Sequence, residues 1–176
     1  MTEPLFFDND CLSAFLWTGD ESLLVKLYRG RIMIPMHVYI ELSSPGVEHL
    51  RRRVDLLLSS GNAVQISIES DTKAYTIYRK LTSEPDAGHK IIGKGEAAAI
   101  ALAKCNDGIL ASNNLKDIAD YVSDYGLQHL TTGDILKEAL ERGFIDEVQG
   151  NLIWSKMLAK RRKLGFVSLS DFLAAN

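Results

Sequence analysis

The chain has 176 residues, of which 46% are hydrophobic and 24% charged, the balance of one globular domain with enough apolar side chains for a full core. A formal net charge of −3 gives no overall sign of nucleic-acid binding. No apolar run approaches the roughly 20 residues that cross a bilayer, and Met1-Thr2-Glu3-Pro4 does not open a signal peptide, so the cytoplasm is the expected compartment.

Strand-like and helix-like segments alternate along the chain. Leu5 to Phe7 reads as a short buried strand, followed by helices over about residues 9–17 and 21–28. Residues 31–34 read as a second strand. Pro35 then suits the first turn of a short helix that carries Glu41 and stops before Pro45. A helix is expected over 48–59, with Gly61-Asn62 as its stop, then a strand over 63–68 and a helix over 70–81. Residues 83–88 are a loop, and 96–105, rich in alanine, form the strongest helix. A buried strand over 108–111 follows. Ile118, Tyr121, Val122 and Tyr125 then keep the spacing of one helix face. Thr132 is expected to cap a helix through Leu140, and a long basic helix to run over about 146–164.

Strands separated by helices imply a parallel sheet covered on both faces, an α/β fold. Ligands in such folds gather at the carboxyl ends of strands. Asp8 stands there after the first strand. Ser112 and Asn114 stand there after the strand 108–111, with Asp117 one turn on. Glu41 and Glu96 lie at the edges of two further apolar segments. Carboxylates at such boundaries are partly desolvated, which is costly without a cation or donor. Acids gathered round one cleft suit Mg²⁺ or Mn²⁺, which prefer carboxylate and water oxygens.

Other features have plainer readings beside the functional ones. Cys11 and Cys105 read as buried structural thiols. Arg51-Arg52-Arg53 and the run from Lys156 to Lys163 read either as solvated helix faces or as a surface that tracks phosphates. Lys94, between Gly93 and Gly95 before a helix, reads as an ordinary loop residue or as a phosphate contact at a helix N-terminus. His37, His49, His89 and His129 have no mutual metal-ligand spacing. Asp120 and Asp124 read as solvated surface.

The order of the acidic motifs resembles that of PIN-domain nucleases, in particular VapC-like toxins and their longer prokaryotic relatives. The resemblance rests on Phe7-Asp8-Asn9-Asp10-Cys11-Leu12, on Ile40-Glu41-Leu42, on Gly95-Glu96-Ala97-Ala98-Ala99-Ile100, and on Ser112-Asn113-Asn114-Leu115-Lys116-Asp117. It implies a three-layer α/β/α fold with a central parallel sheet flanked by helices. It also implies a single domain over 1–176 with a C-terminal helical extension from about 144–176. The implied activity is metal-dependent hydrolysis of RNA, with Asp8, Glu41, Glu96 and Asp117 as the catalytic set. Asp8, Glu96 and Asp117 would be direct ligands of Mg²⁺ or Mn²⁺, with Glu41 acting through water or orienting the attacking water. Ser112, Asn114, Asp10 and Lys94 would support the site or touch substrate. An antitoxin partner and a homodimer follow from the same resemblance.

The third acid is Glu where Asp is common in the toxins, and Asp10 stands where Asn or Ser is usual. Asp10 reads equally as a cap of the following helix. Two rival readings keep the same residues. One is a PIN fold that binds RNA or protein without catalysis. The other resembles haloacid-dehalogenase phosphatases, with Asp8 as nucleophile, Asp10 as acid, and Gly133-Asp134 as a late metal-binding acid.

Overall fold

A computed structural model describes residues 3–176, and among them five strands and ten helices alternate. In chain order they are β1 (Leu5–Phe7), α1 (Asn9–Thr18), α2 (Glu21–Tyr28), β2 (Ile32–Pro35), α3 (Met36–Glu41), α4 (Glu48–Ser59) and β3 (Ala63–Ile66). They continue with α5 (Lys73–Thr82), α6 (Lys94–Cys105), β4 (Ile109–Ala111), α7 (Leu115–Tyr125), β5 (Gln128–Leu130), α8 (Thr132–Glu141), α9 (Glu147–Ala159) and α10 (Leu169–Ala175).

The strands form one sheet in the order β3-β2-β1-β4-β5, and every pairing is parallel. β1 lies at the centre, with Phe6 opposite Met33 on one side and Leu110 on the other. Alternation sends the side chains of Leu5, Phe7, Ile32, Ile34 and Ala111 into one core and Phe6 and Leu110 into the other. The first core is closed by α1, α2, α4, α8, α9 and α10, and the second by α5, α6 and α7. Burying each Leu, Ile or Phe contributes about 1.5–3 kcal/mol, so a strand of three residues is held by its two covered faces, not by length. The fold is the expected three-layer α/β/α sandwich.

Several boundaries differ from the sequence expectation. Pairing with β3, where Pro35 lies opposite Ile66, draws β2 one residue onward, so Pro35 ends the strand and caps α3 instead of lying inside its first turn. Thr131, not Thr132, caps α8; its hydroxyl accepts from Asp134 N–H while the Asp134 carboxylate accepts from Thr131 N–H. β5 has no counterpart in the sequence reading, and α10 falls inside the expected C-terminal helical extension without being marked there as a separate helix. The basic helix stops at Ala159, where Arg161 N–H and Arg162 N–H fold back onto the Leu158 and Met157 carbonyls. Arg161 takes a left-handed φ of 59° at that turn. Residues 160–163 are therefore a turn, not a helix face.

The C-terminal segment is packed into the main core. Trp154, Met157, Leu169 and Phe172 are buried in the same cluster as Leu5 and Phe7. Gly133 permits this, since a Cβ there would lie 2.6 Å from the Phe172 ring. Both cysteines are free thiols, Cys11 buried and Cys105 half-buried. Among the described residues no helix is long and apolar enough to cross a membrane.

Candidate active site

Asp8 lies where β1 gives way to α1. Its backbone N–H donates to the Ala111 carbonyl at 3.0 Å, which ties it to the end of β4. Its side chain caps α1 by accepting from Cys11 N–H at 2.8 Å. The other carboxylate oxygen accepts from the Ser112 hydroxyl. Asp8 is 0% exposed, and no cation pairs with it among the described residues. Burial pushes its carboxyl up to about 8; the bonds from Ser112 and Cys11 offset part of that, and the charges of Asp10 and Glu96 add to it.

A chain of polar contacts runs from Asp8 to the other acids. Asn114 N–H donates to Ser112 Oγ at 3.3 Å. Asn114 Nδ2 donates both to Glu96 Oε1 at 2.7 Å and to Asp117 Oδ2 at 3.0 Å. Asn114 holds the N-cap position of α7, yet its side chain makes no cap bond there. It is spent on the two carboxylates, a local departure from helix-capping habit of the kind functional sites show. Glu96, in the first turn of α6, is half-buried, and burial raises its carboxyl above the ordinary range. The Asn114 bond lowers it again, while the charges of Asp10 and Asp117 raise it.

Glu41, at the end of α3, accepts from Gly95 N–H at 2.9 Å. Only glycine allows this approach, because a Cβ at Gly95 would stand 2.7 Å from Glu41 Oε1. The carboxylate thus occupies the positive end of α6, where a negative charge is stabilised by about 0.3–1 kcal/mol. The anion position that the sequence suggested for a phosphate beside Lys94 is already used by Glu41. Lys94 itself is exposed as the first residue of α6.

Asp8, Asn9, Asp10, Glu41, Gly93, Glu96 and Asn114 line one open cleft of about 180 Å³. Asp10 is exposed in the first turn of α1 and does not cap it; that position belongs to Asp8. Asp117 faces a second cleft, which shares Asp10 and Asn114 with the first. Asp134 is committed to the cap of α8 and leaves the late acid of the phosphatase reading without a candidate.

The donor set fits a hard divalent cation: all oxygens, several carboxylates, and one of them buried with no compensating charge. Among the described residues no three His, Cys, Asp or Glu side chains converge tightly enough to hold an ion as they stand. Glu41 is drawn to Gly95 and Asp117 to Asn114, as repelling carboxylates would be.

Three supporting residues were not legible in the sequence. His129 Nε2 donates to the Ser112 carbonyl at 2.8 Å. Asn113 and Thr132 exchange two bonds of 2.8 Å, pinning the loop after β4 to α8. Each acts through its fold neighbour, and no spacing in the chain links 113 with 132 or 112 with 129.

A family model described as a PIN domain matches residues 5–164. No curated protein matches the chain. One similar solved structure is the crystal structure of VapBC2 from Rickettsia felis bound to a DNA fragment from their promoter. It is 19% identical, has a TM-score of 0.50, and the match covers 72% of this chain and 97% of that one. That likeness bears on the fold alone.

Proposed function

We propose that this chain, which belongs to the PIN-domain family, is an endoribonuclease dependent on Mg²⁺ or Mn²⁺ that hydrolyses RNA phosphodiester bonds. The observation that carries this reading is Asp8: a fully buried carboxylate, without a cation, opening onto a cleft that three further acids line. A divalent ion bound there supplies Lewis-acid polarisation and neutralises charge on the phosphate during in-line attack. Asp8, Glu96 and Asp117 are the residues that would hold it. Glu41 would act through water or orient the attacking water. Ser112 and Asn114 hold the carboxylates in position with neutral donors, which adds no charge of their own.

The resemblance to VapC-like toxins extends the proposal to a partner. An antitoxin would silence the site by placing an Arg or Lys among the acids, and a homodimer would align two clefts. A cytoplasmic location goes with that role.

Calorimetric titration with Mn²⁺ on wild type and Asp8→Asn, beside a cleavage assay on RNA, tests the reading. Wild type is expected to bind and cleave, and Asp8→Asn to do neither while remaining folded. Equal Mn²⁺ binding by the two proteins would sink it.

A further inference from the structure

The turn after α9 carries four consecutive cations, Lys160, Arg161, Arg162 and Lys163. None of them forms an ion pair among the described residues. Arg162 anchors the turn. Its Nε donates to the Lys160 carbonyl at 3.0 Å, its Nη1 donates to Ser13 Oγ at 3.3 Å, and its guanidinium lies 5.8 Å from the Trp17 ring centre. Ser13 and Trp17 belong to α1, the helix that Asp8 caps, so the turn is fixed relative to the acids.

Arg161 and Lys163 are exposed, and with Arg162 they face Asp10 and Asp117 across a cleft of about 290 Å³. Cations and carboxylates line the same cleft without closing into ion pairs, so its space stays open to a group between them. A phosphate beside the acids suits that space, since cations on one wall can neutralise it. Beyond Lys163 the cleft opens into a recess of about 500 Å³, walled by Leu115, Leu164 and Phe166 among others. Leu115 is 47% exposed there. The recess shares Asn113, Asn114, Asp117 and Lys163 with the basic cleft. Acids, cations and an apolar recess therefore follow one another along a continuous surface.

We infer that the turn 160–163 and this recess form a nucleotide subsite beside the acidic cleft: Arg161 and Lys163 hold a backbone phosphate, and the recess takes the unpaired base next to it. The inference rests on reading the acids as a site for RNA. A base paired within a duplex has its edge engaged and its faces stacked, so only a single strand can offer one to the recess.

Fluorescence anisotropy in EDTA, across a salt series, tests this with a labelled unstructured RNA oligonucleotide and the same strand annealed to its complement. Wild type is expected to bind the single strand about tenfold or more tightly than the duplex. Arg161→Gln with Lys163→Gln should weaken single-strand binding about tenfold and flatten the log–log salt dependence by about 1.4, roughly 0.7 for each lost phosphate contact. Leu115→Ala should weaken it severalfold with the salt slope unchanged, and Arg52→Gln, on α4, should change neither. No binding by wild type, equal binding of duplex, or a double variant with wild-type affinity and slope would each overturn the inference. Expected binding without any Mn²⁺-dependent cleavage leaves the subsite standing and removes the hydrolytic reading. Cleavage with unaffected variants does the reverse.

Discussion

At the scale of single residues, Asp8 has two tasks that pull against each other. Its carboxylate caps α1, which wants an acceptor, and it is buried, which disfavours charge. The unfolded chain ionises this group near 3.8, whereas the folded metal-free protein holds its proton up to about 8. Between those values the folded state binds more protons than the unfolded one, so stability falls as pH rises. The contribution is whole below the lower value and gone above the upper one. Subtracting the pH–stability profile of Asp8→Asn from that of wild type should therefore leave a downward slope across that window. Saturating Mn²⁺ should abolish the slope by replacing the proton. Asn keeps an acceptor for Cys11 N–H and gains a donor toward Ser112, so the variant should be as stable as wild type at neutral pH or more so. A variant that is much less stable would mark Asp8 as a structural cap alone.

At the scale of elements, α6 shows what the sequence could and could not say. Its alanine-rich run announces a helix over 96–105, with Gly95 lying just before it. The structure starts α6 at Lys94 and makes Gly95 the backbone against which Glu41 rests. In an unconstrained helix Gly→Ala would stabilise by about 0.5–1 kcal/mol. Here Gly95→Ala should lose that gain by displacing Glu41, and should weaken Mn²⁺ binding by about 10–100-fold, as loss of a supporting contact does. Calorimetry with a thermal melt on the same protein separates the two effects. Unaltered Mn²⁺ affinity would make Glu41 a helix cap and nothing more. The central strands and the motifs at their carboxyl ends were legible because buried runs and boundary acids are local signals. β5 was not, because Gln128, His129 and Leu130 show no alternation and pair only at the sheet edge. The end of α9 was missed for a related reason: basic residues are good helix formers, and the turn that breaks the helix at the left-handed Arg161 is held to α1 by its neighbour Arg162.

At the scale of the whole molecule, the segment beyond residue 143 decides whether the basic turn is a fixed wall or a loose tail. Phe172, on α10, is only 6% exposed and packs 5.8 Å from the Trp154 ring and 5.5 Å from that of Phe166. Trp154 Nε1 donates to the Phe166 carbonyl at 3.1 Å, which ties α9 to the irregular stretch that walls the recess. Leu169 and Phe172 share their core with β1, so removing their support loosens the central sheet and the basic turn together. Phe172→Ala should cost about 3–5 kcal/mol, as the loss of a large core aromatic does. Because that core is continuous, chemical denaturation followed by tryptophan fluorescence and by circular dichroism should show one transition, displaced as a unit. An early, separate loss of the Trp154 signal with an unshifted main transition would mean that residues 144–176 are an appendage. In that case the turn 160–163 would have no fixed register with Asp10 and Asp117, and the order of acid, cation and recess along the cleft would lose its structural basis.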